Sequence, residues 1–260
     1  MLSIREEQML AFSIEAKKQF EKEIVQHISE FAPKQYEILG ESTIGRIVRL
    51  GIERAENYGF TNRGPARFYV EMMFMFGSDF DTDPQYPWAA EILFAESEDQ
   101  IIRADRLHGE AMKYIEMVGG PDLEYEKEAL NRVLALSQRG STPSEIGAEA
   151  IPDYLRMIYP QKCEYMGDEA IDALVQLGTV SSGNYSASSK DVVVFVGLMF
   201  IFGHGCLSDP QYPWIANTLE RSAPGDMPSK IGHLRAKTRI YLETALNALE
   251  GRKNAPGWTQ

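Results

Sequence analysis

Three aspartates at alternate positions, Asp79, Asp81 and Asp83, close an apolar run in MFMFGSDFDTDP. Carboxylates so spaced could hold a hard cation, and D-x-D-x-D opens many calcium loops. That loop needs glycine at its sixth position and glutamate at its twelfth, and Pro84 and Ala90 stand there. An aspartate after an apolar run could also be a phosphoryl-accepting nucleophile. That chemistry wants the end of a parallel strand, and no βα alternation surrounds it. The plainer reading is an acidic loop that starts a helix, with Asp83 as N-cap and Pro84 in the first helical position.

His204, Cys206, His233 and Cys163 are the other candidate ligands. His204-x-Cys206 is too short for the usual paired-ligand spacing of zinc sites, and the rest are far apart. Two cysteines in 260 residues make no disulfide framework, so they read as free thiols. His27 and His108 sit singly on helices and read as structural. G-x-S-x-G, P-loop and H-E-x-x-H motifs are absent. The expectation is no catalytic residue, no metal and no cofactor.

The same loop ends in DPQYPW, residues 83–88, and the six letters recur at 209–214. Matches extend outward. MFMFG before Asp83 faces MFIFG before Asp209, and Ala90 and Leu93 face Ala216 and Leu219. Upstream the offset becomes 127, pairing Pro33 with Pro160, Gly40 with Gly167, Gly51 with Gly178 and Asn57–Tyr58 with Asn184–Tyr185. Downstream, Leu107 and Tyr114 face Leu234 and Tyr241. An ordered series of this length reads as an internal duplication, with modules at 1–126 and 127–260. The second copy keeps Asp209 but has Gly205 and Leu207 opposite Asp79 and Asp81, so a catalytic role shared by both loops is not expected.

The elements around these motifs read as helices. Ser3 with Glu6 suggests a capping box, and Met9, Phe12, Phe20, Ile24, Ile28 and Phe31 recur at helical spacing up to Pro33. A second helix carries Ile44, Ile47, Val48 and Ala55 toward Gly59. A third runs from Pro65 through FYVEMMFMF to Gly77. DPQYPW then starts a helix, with Asp83, Pro84, Trp88 and their counterparts Asp209, Pro210 and Trp214 as structural anchors. Ser97 with Gln100 opens the next, ended by Gly119–Gly120–Pro121. A helix over 122–138 and a linker at Gly140–Pro143 follow, with Thr142 and Glu145 capping the next helix. VVVFV at 192–196 is the best strand candidate, but it aligns with a helix of the first copy. The fold class expected is all-α, two tandem helical modules.

Charge is divided unevenly. Residues 1–130 carry 14 basic and 25 acidic side chains, a net −11, and residues 131–260 carry 12 and 13, a net −1. That field repels phosphate, which disfavours nucleic acid and anionic membranes and suits a basic protein surface. No apolar run approaches the roughly 18 residues of a membrane span, and MLSIREEQ lacks a secretory signal pattern. These features suggest a cytoplasmic protein.

IREEQMLAF, GIERAENYGF, MFMFGSDFDTDP and PWAAEIL together resemble a family of bacterial proteins encoded beside type VI secretion spike and effector genes. The resemblance covers most of the first copy. In the second it is confined to the apolar run and DPQYPW. It implies an accessory role: an adaptor or chaperone of a secreted toxin effector, or alternatively an immunity protein that neutralises a toxin, possibly a basic one. A third reading is a metal-dependent hydrolase built on Asp79, Asp81 and Asp83. Under the leading reading the partner is a protein, and the expected contact residues are the acids Asp79, Asp81, Glu96, Glu98 and Asp99.

Overall fold

The computed structural model of the chain describes residues 6–95, 97–138, 146–220 and 227–251. Among them every regular element is helical and no strand occurs. The helices are α1 (Glu6–Phe31), α2 (Pro33–Asn57), α3 (Arg63–Phe76), α4 (Pro87–Leu93), α5 (Gln100–Tyr114), α6 (Glu124–Gln138), α7 (Ile151–Ile158), α8 (Pro160–Asn184), α9 (Val192–Phe202), α10 (Pro213–Glu220) and α11 (Met227–Gly251). A π-turn, Ile115–Gly119, extends α5. None of these helices is long and apolar enough to cross a membrane. The expected cap Ser3, the Gly140–Pro143 linker and the Thr142/Glu145 cap lie outside the described residues, as do the side chains of Met9 and Phe12.

Two apolar cores form. One is built from α1–α5 around Ile24, Ile28, Ile44, Ile47, Tyr69 and Leu107. The other is built from α6–α11 around Leu134, Ile151, Ile171, Phe195, Ile215 and Leu234. The boundary expected at 126/127 falls in the first turn of α6. Because α6 also packs on α11 and α7, it belongs with the second core. VVVFV is the start of α9, whose apolar residues are buried almost all round.

Corresponding positions take the same backbone roles. α2 and α8 both kink at a glycine with positive φ, Gly40 at 74° and Gly167 at 75°. α3 and α9 both end on such a glycine, Gly77 and Gly203. Midway along α2, a methyl group on Gly51 would lie 2.8 Å from both Met73 Sδ and Val70 Cγ2. On Gly178 it would lie 2.4 Å from Val196 Cγ2 and 3.1 Å from the Val196 backbone nitrogen. The bare glycines let α3 and α9 lie close against their partners, which matters because interiors pack without slack.

In each half an aromatic cluster seats the hexapeptide. Phe76 packs edge-on to Trp88 and Tyr114 and stands 5.0 Å from Tyr86. Phe202 repeats this with Trp214, Tyr241 and Tyr212, the last at 4.8 Å. Trp88 is buried and Trp214 partly so.

Candidate functional site

The hexapeptide does not start its helix where the sequence suggested. α4 begins at Pro87, with Tyr86 as the preceding residue, three positions later than expected, and α10 likewise begins at Pro213. Asp83 and Asp209 are therefore not N-caps. Each closes a turn on itself, Asp83 Oδ1 accepting the Gln85 N–H at 2.9 Å and Asp209 Oδ1 the Gln211 N–H at 2.8 Å. Two acceptable prolines follow each aspartate, and the aspartate side chain is already taken up by this turn and by the opposite half.

The opposite half supplies the remaining partners, and does so reciprocally. Asp83 Oδ2 accepts the His204 N–H at 2.7 Å, while Asp209 Oδ2 accepts the Ser78 N–H at 2.8 Å. The Gln85 amide donates to Met199 O at 3.0 Å, and the Gln211 amide to Met73 O at 2.7 Å. Residue i meeting j while j's counterpart meets i's is the pattern of a two-fold contact. Gly77 and Gly203 face each other at its centre, where an added methyl on either would press on the other half's backbone. All four side chains, Asp83, Gln85, Asp209 and Gln211, are buried. Burial pushes the Asp209 pKa up, against the hydrogen bonds from Ser78 and Gln211 that pull it down. For His204, burial lowers the pKa, but the neighbouring Asp83 outweighs it and the net shift is upward.

The acids expected to meet a partner are mostly engaged in bonds within the chain, and Asp81 is buried as well. Asp81 is buried and accepts hydrogen bonds from the hydroxyls of Tyr58 at 2.9 Å and Tyr69 at 2.8 Å, so it is not available to a partner. Asp79 is ion-paired with Arg54 at 2.6 Å and lies against Gly205 of the other half. Glu98 forms a two-pronged pair with Arg106 at 2.7 and 2.8 Å. Asp99 caps α5 by accepting the Ile101 N–H at 2.8 Å, the role expected of Ser97. Gln100 turns instead to the α2–α3 loop and accepts from the N–H groups of Thr61 and Asn62. Glu96 lies outside the described residues.

Asp79, Asp81 and Asp83 thus point to three different sets of partners. Among the described residues no group of three or more His, Cys, Asp or Glu side chains is placed to hold a metal ion. Cys163 and Cys206 are buried free thiols, and burial pushes Cys163 up to about 11.

What remains exposed beside this loop is the outer face of α4 and α5. Phe94 is 64% exposed, Ile101 60% and Ile102 55%, and Met112 and Met117 are half exposed. These are five of the thirteen large apolar side chains exposed among the described residues, and all five lie between Phe94 and Met117. Ile101, Asp105, His108 and Met112 recur at helical spacing on the side of α5 opposite the buried Arg103, Leu107, Ala111 and Tyr114. Asp105 and Glu116 are exposed and lie in no ion pair among the described residues. The face is rigidly mounted: Arg103 donates to Leu93 O at 2.8 Å and lies over the Phe60 ring, and Phe94 packs edge-on to Tyr58. The sequence reading did not single out this face. The consecutive pair Ile101–Ile102 was the available signal, since one helix face cannot bury both.

The fold and this face define an all-α protein with a mixed apolar and acidic surface on one half. No family model, curated protein or solved structure matches the chain.

Proposed function

We propose that the protein is a non-catalytic, protein-binding accessory factor, and that the α4–α5 face is its contact surface. The observation that carries this reading is the exposure of Phe94, Ile101, Ile102 and Met112 along one stretch of chain, together with exposed Asp105 and Glu116, which lie in no ion pair among the described residues. Exposed apolar clusters rimmed by charge mark interaction sites. The net −11 of the surrounding half selects a basic partner and steers its approach. The resemblance to effector-associated proteins suggests that this partner is a secreted toxin effector held by an adaptor or chaperone.

The test is co-expression with the product of the adjacent effector gene, followed by affinity measurement on the purified pair. Ile101→Ser and Asp105→Lys should each weaken binding about tenfold or more, consistent with truncating a central contact, and leave the melting temperature unchanged. A partner that binds both variants as tightly as the wild type would remove this face from the interface. Immunity uses the same face and differs in outcome: the bound effector would lose its toxic activity, whereas a chaperoned effector keeps it when released.

A further inference from the structure

A cavity of about 870 Å³ lies between the two halves. Its walls are mostly apolar, including Phe74, Leu130, Val133, Leu198 and Leu242. For a chain of net charge −12 its ionic lining is unexpected: among the described residues it holds Lys162, Arg235 and Arg239 against one acid, Glu126. Arg239 is paired along α11 with Glu243. Lys162 is buried, and its ammonium donates to Phe200 O at 2.6 Å and sits over the Phe200 ring. Arg235 is different. Its Nε and Nη2 are shielded from solvent and meet no acceptor among the described residues.

Arg235 is only partly buried, but two sheltered N–H groups on a guanidinium are costly unless something accepts from them. The acceptor that best matches its fork is a carboxylate, taken two-pronged. The apolar walls require the rest of that molecule to be hydrocarbon. The volume falls in the range of small-molecule sites, about 300–1,000 Å³. One guanidinium fork beside apolar walls matches a single carboxylate on a hydrocarbon chain, which favours a small molecule over a docked segment of protein.

We propose that this cavity binds a long-chain carboxylate, with its hydrocarbon chain among the apolar walls and its carboxylate on Arg235. Lys162 supplies a second positive charge to the same space. Gly197 of α9 offers a way to close the cavity without touching either cation, because it lines the wall and a methyl group added to it would meet nothing within 4 Å.

The experiment uses the full chain, a dansyl-labelled undecanoic acid as fluorescent probe, and hexadecanoate or hexadecanol as competitor. The wild type should bind the probe and release it to hexadecanoate at least tenfold more readily than to hexadecanol. Gly197→Leu should weaken probe binding tenfold or more while keeping the melting temperature. Arg235→Met should remove the preference for acid over alcohol. No probe binding to the wild type, equal competition by the alcohol, or a Gly197→Leu variant that binds as the wild type does would each overturn the proposal. Probe release by the effector instead of by hexadecanoate would assign the cavity to protein and overturn it as well.

Discussion

Asp83 accepts a hydrogen bond from the backbone N–H of His204, 2.7 Å away in space and 121 positions away in sequence. Its counterpart Asp209 does the same for Ser78, and both aspartates are buried. The repeated hexapeptide is therefore a pair of clasps, each gripping the half it does not belong to.

Removing a clasp should be expensive. Asp209→Ala leaves the N–H groups of Ser78 and Gln211 without their acceptor in the interior. A loss of about 3 kcal/mol is expected, since hydrogen bonds to a charged group are worth roughly 1.5–3 kcal/mol and the stranded donors add to it. Urea denaturation checks it. The wild type should also unfold in one transition seen alike by near- and far-ultraviolet circular dichroism. Two separated transitions would show that the clasps do not couple the halves.

The two helix crossings should respond unequally to the same substitution. At Gly51 the obstacles to a methyl group are the side-chain atoms Met73 Sδ and Val70 Cγ2. At Gly178 they include the Val196 backbone, which cannot swing aside. Gly178→Ala should cost about 3 kcal/mol, the upper part of the range for overpacking, and Gly51→Ala about 1–2 kcal/mol. Midpoints of thermal or urea unfolding that rank the two the other way would contradict the backbone-contact account.

Ser186 occupies the left-handed region, φ 56°, at the position where the first half has Gly59, φ 73°. Both stand two positions past the last residue of a long helix, and the next residue closes it with matching bonds, Phe60 N–H to Ala55 O and Ala187 N–H to Ser182 O. A side chain in that conformation carries a cost of about 1 kcal/mol that glycine avoids. Ser186→Gly should raise stability by roughly 0.5–1 kcal/mol, measurable as a higher melting temperature.

Burial lowers Lys162 to about 8 from its ordinary 10.5. Between these values the unfolded chain holds a proton that the folded chain has released, so stability rises with pH across that window. Below about pH 8 the folded protein bears the full cost of a buried ammonium. Relative to Lys162→Met, the wild type should gain roughly 2 kcal/mol between pH 7.5 and 9.5. A constant difference between the two proteins over this interval would mean the ammonium is not desolvated. Above pH 10 the buried tyrosines, whose pKa values burial raises, act in the opposite sense and end the useful range.

The helices were legible because their apolar positions repeat at helical spacing, and Ile24, Ile28, Ile44, Ile47 and Val48 are all buried. VVVFV could be placed in a helix only through its alignment with FYVEMMFMF, since a run apolar on all sides has no period of its own. The interior acids were misread. Aspartate is usually a surface residue, and nothing local distinguishes Asp81 from Asp79. The repeat did contain the clue, because Asp81 stands opposite Leu207, a buried apolar position. The start of α4 differs from the sequence expectation because Asp83 and Gln85 are engaged by His204 and Met199 of the other half, beyond any local pattern. The cavity had no trace in the sequence: it is a space between α3, α6, α7, α8, α9 and α11, which no local pattern encodes.

The clasps also set a timetable for the growing chain. Asp83 and Gln85 are made early, but the His204 N–H and Met199 carbonyl they need come more than a hundred residues later. At a synthesis rate of about 5–20 residues per second, the wait is on the order of ten seconds. During it the Asp83 carboxylate and Gln85 amide of the first half have only each other and lack their partners across the seam, and the Gly77 turn against which Phe202 will rest lies bare. Nascent chains of this protein therefore pass through a stage in which the interior seam is an outer surface, and the segment from Met199 to Gln211 is the piece whose arrival ends it.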